Sequence, residues 1–243
     1  MKSPRRRSLL AGLSRPQNGL RFRSEQELQR ELCKHDLRLD GEFKRTAVRR
    51  ELPVGGCVPD VVYVRFAEPP SADVWPDRWS FLHASIVWLL RRRRRLRSAT
   101  LHSLAYDSPA RIEAALYDLL DSGAIKELPS GSYGLSVELE EIRAEVVAVE
   151  AKLRDWKQAL RQAISYRRFA DRVSVVLDWK ATPREKQTIR LFRRWNTGLG
   201  GLRSHTLDWI VTPLAGTRVT GPEREYIITA AALPTRYTLW SWR

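Results

Sequence analysis

The sequence predicts an α/β protein: a mixed central sheet flanked by helices, with a different, mostly helical pattern set between two strand-rich stretches. Three observations predict it. Residues 57–64 and 146–152 are apolar runs broken only at isolated positions by Asp60 and by Glu150 and Lys152, the pattern of buried strands. A capped amphipathic segment precedes the first run and another helical segment follows the second. Between them, over residues 76–140, apolar residues recur at helical spacing and the local chemistry changes.

Taken in chain order, residues 1–21 read as a flexible basic arm. Lys2, Arg5, Arg6, Arg7, Arg15, Arg21 and Arg23 meet no acid over the first 23 residues. An export signal would need an apolar run of about 7–15 residues after the arginines, and here Ser14-Arg15-Pro16 breaks it. Residues 22–68 form the first part of the core. Ser24 followed by Glu27 fits a capping box, and Leu28 and Leu32 mark one face of a helix over 24–37. Strands over 43–52 and 57–65 follow, parted by Pro53-Val54-Gly55-Gly56, and prolines and aspartates over 66–78 suggest a linker. Residues 141–243 return to strand chemistry: a strand over 145–152, a helix from Trp156 to Phe169, a strand from Arg172 to Leu177, and strands near 205–212 and 225–231. Gly198-Leu199-Gly200-Gly201 lacks the Lys-Ser/Thr of a phosphate-binding loop and reads as a turn. Trp240 and Trp242 in the C-terminal extension read as cover for apolar surface or an interface.

The chain has 243 residues and a formal net charge of +15. A surplus of that size favours a polyanionic partner, nucleic acid or an acidic membrane surface. No stretch approaches the roughly 18–20 apolar residues of a membrane span, and the partner expected is nucleic acid, with no membrane. Two cysteines, Cys33 and Cys57, build no disulfide framework, and the expected setting is reduced and cytoplasmic.

The chemistry rests on a few polar residues in apolar strands. A carboxylate at Asp60 is costly to bury unless something pairs with it. Glu150 and Lys152, two apart on a strand, point to one face, while Val149 and Ala151 point to the other. Pro59-Asp60, then Glu150-Ala151-Lys152, then a helix carrying Gln162 and Tyr166 resembles the PD-(D/E)XK nuclease superfamily. Gln162-Ala163-Ile164-Ser165-Tyr166 matches the Gln-x-x-x-Tyr motif of its RecB-like branch. The resemblance spans about residues 22–66 and 141–212 and implies a restriction-endonuclease-like core. It further implies that Asp60 and Glu150, with the Ala151 carbonyl, hold Mg²⁺ (or Mn²⁺), oxygen ligands suiting a hard cation. Lys152 would orient or activate a water and offset charge in the transition state. A helix-one glutamate often joins such a site. Glu25 fits best, lying three before Leu28 and seven before Leu32; Glu27 is the capping partner, and Glu31 is the alternative. Gln162 and Tyr166 would contact substrate or support the metal site.

Ninety positions part Asp60 from Glu150, and residues 76–140 account for them as an insertion. Three helical stretches precede a hairpin there, with Ser108-Pro109 opening the third and Asp121-Ser122-Gly123-Ala124-Ile125 and Gly131-Ser132-Tyr133-Gly134-Leu135 framing the hairpin. This resembles a winged helix-turn-helix domain. The resemblance implies DNA contacts from Arg111 on the third helix and from Lys126, Ser130 and Ser132 on the wing, with Arg91, Arg92, Arg93, Arg94 and Arg95 on phosphates. The module holds nine basic and eight acidic residues, +1 in all, so a protein contact is the competing use. The function expected is a metal-dependent DNA endonuclease acting on double-stranded rather than single-stranded DNA. A homodimer or a larger complex would be its protein partner. The alternative is a non-catalytic DNA-binding regulator, or an interaction subunit of a larger nucleic-acid-processing complex.

Overall fold

A computed structural model describes residues 21–68, 75–129, 131–140, 142–216 and 219–233. Residues 1–20 of the arm, residues 69–74 of the linker, Ser130, Trp240 and Trp242 lie outside the described residues. The protein is α/β, with a six-stranded mixed sheet flanked by helices. Strand β1 (Arg45–Arg50) pairs antiparallel with β2 (Val61–Phe66), and β2 antiparallel with β6 (Ala144–Lys152). Strands β6, β7 (Arg172–Asp178) and β8 (Gly198–Leu202) run parallel, and β9 (Leu207–Val211) closes the far edge antiparallel. The parallel pairs need crossovers. Helix α6 (Trp156–Ser165) with a following 3-10 turn (Tyr166–Arg168) makes the first, and α7 (Lys186–Arg194) the second.

Alternation assigns the faces of the central strands. Val61, Tyr63, Val147, Val149 and Ala151 pack with Leu28 and Leu32 of α1 (Glu25–Leu32). Val62, Val64, Phe66, Val146 and Ala148 face the other way. Helix α1 begins as its sequence dictates: the Ser24 hydroxyl accepts from the Glu27 N–H at 3.1 Å. The Glu27 carboxylate reaches back one residue further than a capping box would place it, to the Arg23 N–H at 2.7 Å.

The segment between β2 and β6 holds α2 (Phe81–Arg93), α3 (Ser98–Leu104), α4 (Pro109–Asp121) and the short α5 (Val137–Glu140). A three-stranded antiparallel sheet joins them: β3 (Arg95–Arg97), β5 (Ser132–Leu135) and β4 (Ile125–Leu128), in that spatial order. Strand β3 is an addition to the expected hairpin. Ile86, Leu90, Ile112, Leu116 and Leu119 of this segment share one continuous apolar cluster with Val62, Val64 and Ala148 of the main sheet. The segment therefore adds to the sheet's core.

Two expectations are corrected. The stretch over 225–231 is not a strand but lies within helix α8 (Pro222–Ala232). Proline at its first turn suits a helix start, and residues 224–231 are all buried. A helix covered on every side shows no apolar stripe. Arg49 of β1 caps its far end, donating to the carbonyls of Ala230, Ala231 and Leu233 at 3.1, 3.1 and 2.6 Å. Nor is the glycine-rich run a turn: it is β8, buried throughout. Its glycines answer to crowding. A Cβ on Gly201 would stand 2.5 Å from Cε3 of Trp179, and one on Gly198 2.8 Å from the Ser174 Cβ. Gly201→Ala is accordingly expected to cost about 1–3 kcal/mol, as overpacked cores do, read from the urea midpoint.

Candidate active site

The sheet brings Asp60, Glu150 and Lys152 together at one of its ends. Asp60 immediately precedes β2, whose first pair with β6 is Val61↔Val149. One step further sets Asp60 across from Glu150, and directly opposed residues of an antiparallel pair share a face. The separation of ninety positions in sequence thus closes to one cross-strand pair. The Asp60 carboxylate accepts from the Ala151 N–H at 2.7 Å through Oδ2 and from the Gln29 amide at 2.8 Å through Oδ1. Lys152 Nζ lies 3.1 Å from Glu150 Oε1 and 3.2 Å from Glu25 Oε2. The Tyr166 hydroxyl donates to Glu150 Oε2 at 2.5 Å, in the range of charge-assisted bonds.

Glu25 therefore meets the cluster from α1. Glu31 turns to Lys34, with His35 and His205 nearby, and Glu27 caps its own helix. Gln162 stays apart from the carboxylates: its side-chain oxygen is buried with no donor among the described residues. Tyr166 reaches Glu150 from the 3-10 turn just past α6. Gln29 is the residue the sequence reading missed. It is buried, with its amide donating to Asp60 and its oxygen accepting from Arg50 Nη2 at 3.1 Å. Its place four after Glu25, one turn along the same helix face, was the available signal.

The electrostatics have one sense. Burial pushes the Glu150 carboxyl above its ordinary range and nearby Asp60 pushes it further, against hydrogen bonds from Tyr166 and Lys152. Burial likewise raises Asp60, against the Ala151 N–H and Lys152, with Glu25 and Glu51 adding to the rise. Burial works to lower Lys152, but Glu150, Asp60 and Glu25 outweigh it and raise it. The site is short of positive charge, with one ammonium facing three carboxylates.

That deficit fits a divalent cation. Among the described residues no three His, Cys, Asp or Glu side chains form a ready cage. Magnesium, however, commonly takes one or two carboxylates and keeps waters, and Asp60 and Glu150 with the Ala151 carbonyl are an all-oxygen set of that kind.

A stability test follows from the sign of the Glu150 shift. A carboxyl raised in the folded protein binds more protons there than in the unfolded chain. Its ionisation therefore erodes stability as pH climbs from its ordinary 4.5 through the raised value. Glu150→Gln, which keeps an oxygen for Lys152, is expected to match the wild type below that window and exceed it above. A divalent cation held by Asp60 and Glu150 would, at a hundredfold excess over its Kd, add about 2.7 kcal/mol to the wild type and nearly nothing to the variant. Urea unfolding at pH 4 and pH 8, with and without Mg²⁺, reads both.

The arginines expected on phosphates divide. Arg91 turns inward, pairing with Glu225 at 2.8 Å and donating to the Leu139 carbonyl, and so ties α2 to α8. Arg92 lies over the Trp88 ring, and Arg93, Arg94 and Arg95 are exposed. Arg111 pairs with Asp107 at 3.1 Å, Lys126 is exposed on β4, and Ser132 is buried, its hydroxyl 3.4 Å from the Pro129 carbonyl. No helix among the described residues is long and apolar enough to cross a membrane. Comparison with protein-family models, with characterised proteins and with solved structures gives no match.

Proposed function

We propose that this chain is a metal-dependent nuclease that hydrolyses phosphodiester bonds in DNA. The opposition of Asp60, at the entry to β2, and Glu150 on β6, with Lys152 on the same rim, carries the reading. Support comes also from the order of elements. Helix α1, the three antiparallel strands β1, β2 and β6, then α6 and parallel β7 is the succession a restriction-endonuclease-like core requires. Helices α2, α3 and α4 with the β3–β5–β4 sheet have the make-up of a winged helix-turn-helix module inserted in it.

Asp60 and Glu150, with the Ala151 carbonyl, would hold Mg²⁺ or Mn²⁺. A cation there would supply Lewis acidity, lowering the pKa of a water and polarising the phosphoryl oxygen. The chain's own groups do the rest. Gln29 and the Ala151 N–H fix the Asp60 carboxylate, and Tyr166 fixes Glu150, so neither reorganises when charge develops. Lys152, kept as an ammonium by its carboxylate neighbours, offsets negative charge on the phosphoryl group. Glu25 holds that ammonium from the other side.

The test is incubation of linear, circular and single-stranded DNA with the wild type and Asp60→Ala in Mg²⁺, Mn²⁺ or EDTA. Cleavage that needs the metal and disappears in Asp60→Ala is expected. DNA binding by both proteins without cleavage by either would sink the enzyme reading in favour of a DNA-binding regulator.

A further inference from the structure

At the same end of the sheet, β7 finishes at Asp178 and runs directly into a 3-10 turn, Trp179–Ala181. Two guanidiniums lie over the Trp179 ring, Arg184 at 4.3 Å and Arg203 at 4.0 Å from its centroid. The indole therefore gathers two cations at one place on the rim. Cation–π attraction of this kind holds long, rotamer-rich side chains in place before any ligand arrives. The arrangement is seated from below: the ring edge lies where a Cβ on Gly201 would be, so only glycine admits it.

The charge here is under-compensated. Arg203 meets Asp208 at 3.3 Å, both half exposed. Lys180 and Arg184 are exposed. Asp178, at the end of β7, is fully buried and accepts from the backbone N–H groups of Arg21, Phe22 and Lys180. Those bonds also pin Arg21, whose guanidinium reaches the Ser204 hydroxyl, to this rim. Register connects the rim to the carboxylates. Lys152 pairs with Leu177, and Leu177 with Gly201. At about 4.8 Å per strand, β8 lies roughly 10 Å from Lys152.

We propose that Arg184, Trp179 and Arg203, with Lys180 beside them, form a backbone-binding subsite for the nucleic-acid strand that flanks the scissile phosphate. It is specific for phosphodiester charge and indifferent to base. This rests on the nuclease reading for its place in catalysis but not for its binding. A strand crossing the sheet end at Lys152 meets Trp179 next, and its phosphates find two guanidiniums already held against the ring. The winged-helix-like segment is not needed for this contact.

Binding of a labelled DNA duplex and of a labelled single strand to the full chain, in Ca²⁺ or EDTA over a range of salt, tests the proposal without cleavage. The double variant Arg184→Ala/Arg203→Ala is expected to bind about tenfold or more weakly, with a salt slope reduced by about 1.4–1.8, the share of two phosphate contacts. Trp179→Leu keeps both charges and so is expected to lose affinity with the slope unchanged. Arg92→Ala/Arg93→Ala on the inserted segment is the comparison. If it lowers the slope while the Arg184/Arg203 pair leaves affinity and slope at wild-type values, the subsite is overturned. Loss of binding in a protein that never cleaves would retain the subsite and reject the nuclease. Metal-dependent cleavage with unaltered binding in the Arg184/Arg203 variant would do the reverse.

Discussion

Lys152→Ala is expected to lower DNA cleavage by about 10²–10³-fold at saturating metal, the usual cost of deleting one preorganised charge from a transition-state site. The loss belongs in kcat. The ammonium sits 3.1 Å from Glu150 and 3.2 Å from Glu25. Removing it makes the site more negative, so a divalent cation binds at least as well as before. Rates measured against Mg²⁺ concentration would then show an unchanged or lower half-saturation point and a lower plateau. Recovery of the wild-type rate at high Mg²⁺ would reduce Lys152 to an accessory of the metal site. The raised Lys152 pKa adds a second check. Burial favours the neutral amine, yet the three carboxylates prevail. The pH–rate profile should therefore show no limb from loss of the lysine proton below its ordinary 10.5. A limb well below that value would mean the amine acts as a base.

How much of this was legible in the sequence depended on whether each residue's environment was local. Strand β6 could be read because its two faces differ: Val149 and Ala151 meet α1, while Glu150 and Lys152 meet polar partners. The start of α1 could be read because a cap is a contact within four residues. Strand β8 could not. Its glycines exist for Ser174, Pro213, Trp179 and Trp209, neighbours supplied by other strands and turns, and the local chemistry of glycine says turn. Helix α8 failed for the opposite reason. Tyr226 to Ala231 are buried on every side, so neither the 3.6-residue nor the 2-residue period is expressed. In the site, Asp60 and Glu150 were visible as charges in apolar strands. Gln29 was not, because a glutamine on a helix looks like solvent-facing surface until Asp60 arrives from another element. Arg91 misled in the same way: the run of five arginines hides that its first member answers Glu225, far along the chain.

The second large effect lies away from the carboxylate rim and concerns stability alone. Glu145→Ala is expected to destabilise the fold by about 3–5 kcal/mol, the cost of leaving buried charge without its partner. Glu145 is buried on β6 between two buried arginines, with Oε2 2.5 Å from Arg65 Nη1 and Oε1 2.7 Å from Arg172 Nε. Each arginine has further acceptors. Arg65 reaches the Leu39 and Asp40 carbonyls, and Arg172 reaches the Pro213 carbonyl and the Asp40 carboxylate at 2.8 Å. Those contacts satisfy N–H groups, but only the largely exposed Asp40 offers charge. The two guanidiniums would then face each other across the space vacated by a CH2–COO⁻ group. The discriminating comparison is the triple replacement Arg65→Met/Glu145→Leu/Arg172→Met. Removing the whole buried network exchanges desolvated charge for apolar packing, which is often neutral or favourable. The triple variant should therefore be much more stable than Glu145→Ala, a strong departure from additivity. Urea midpoints of the two variants decide the point. If the triple variant is the less stable, the arginines contribute mainly through the carbonyls they hold, and the network is a set of loop anchors rather than a charge-balanced core.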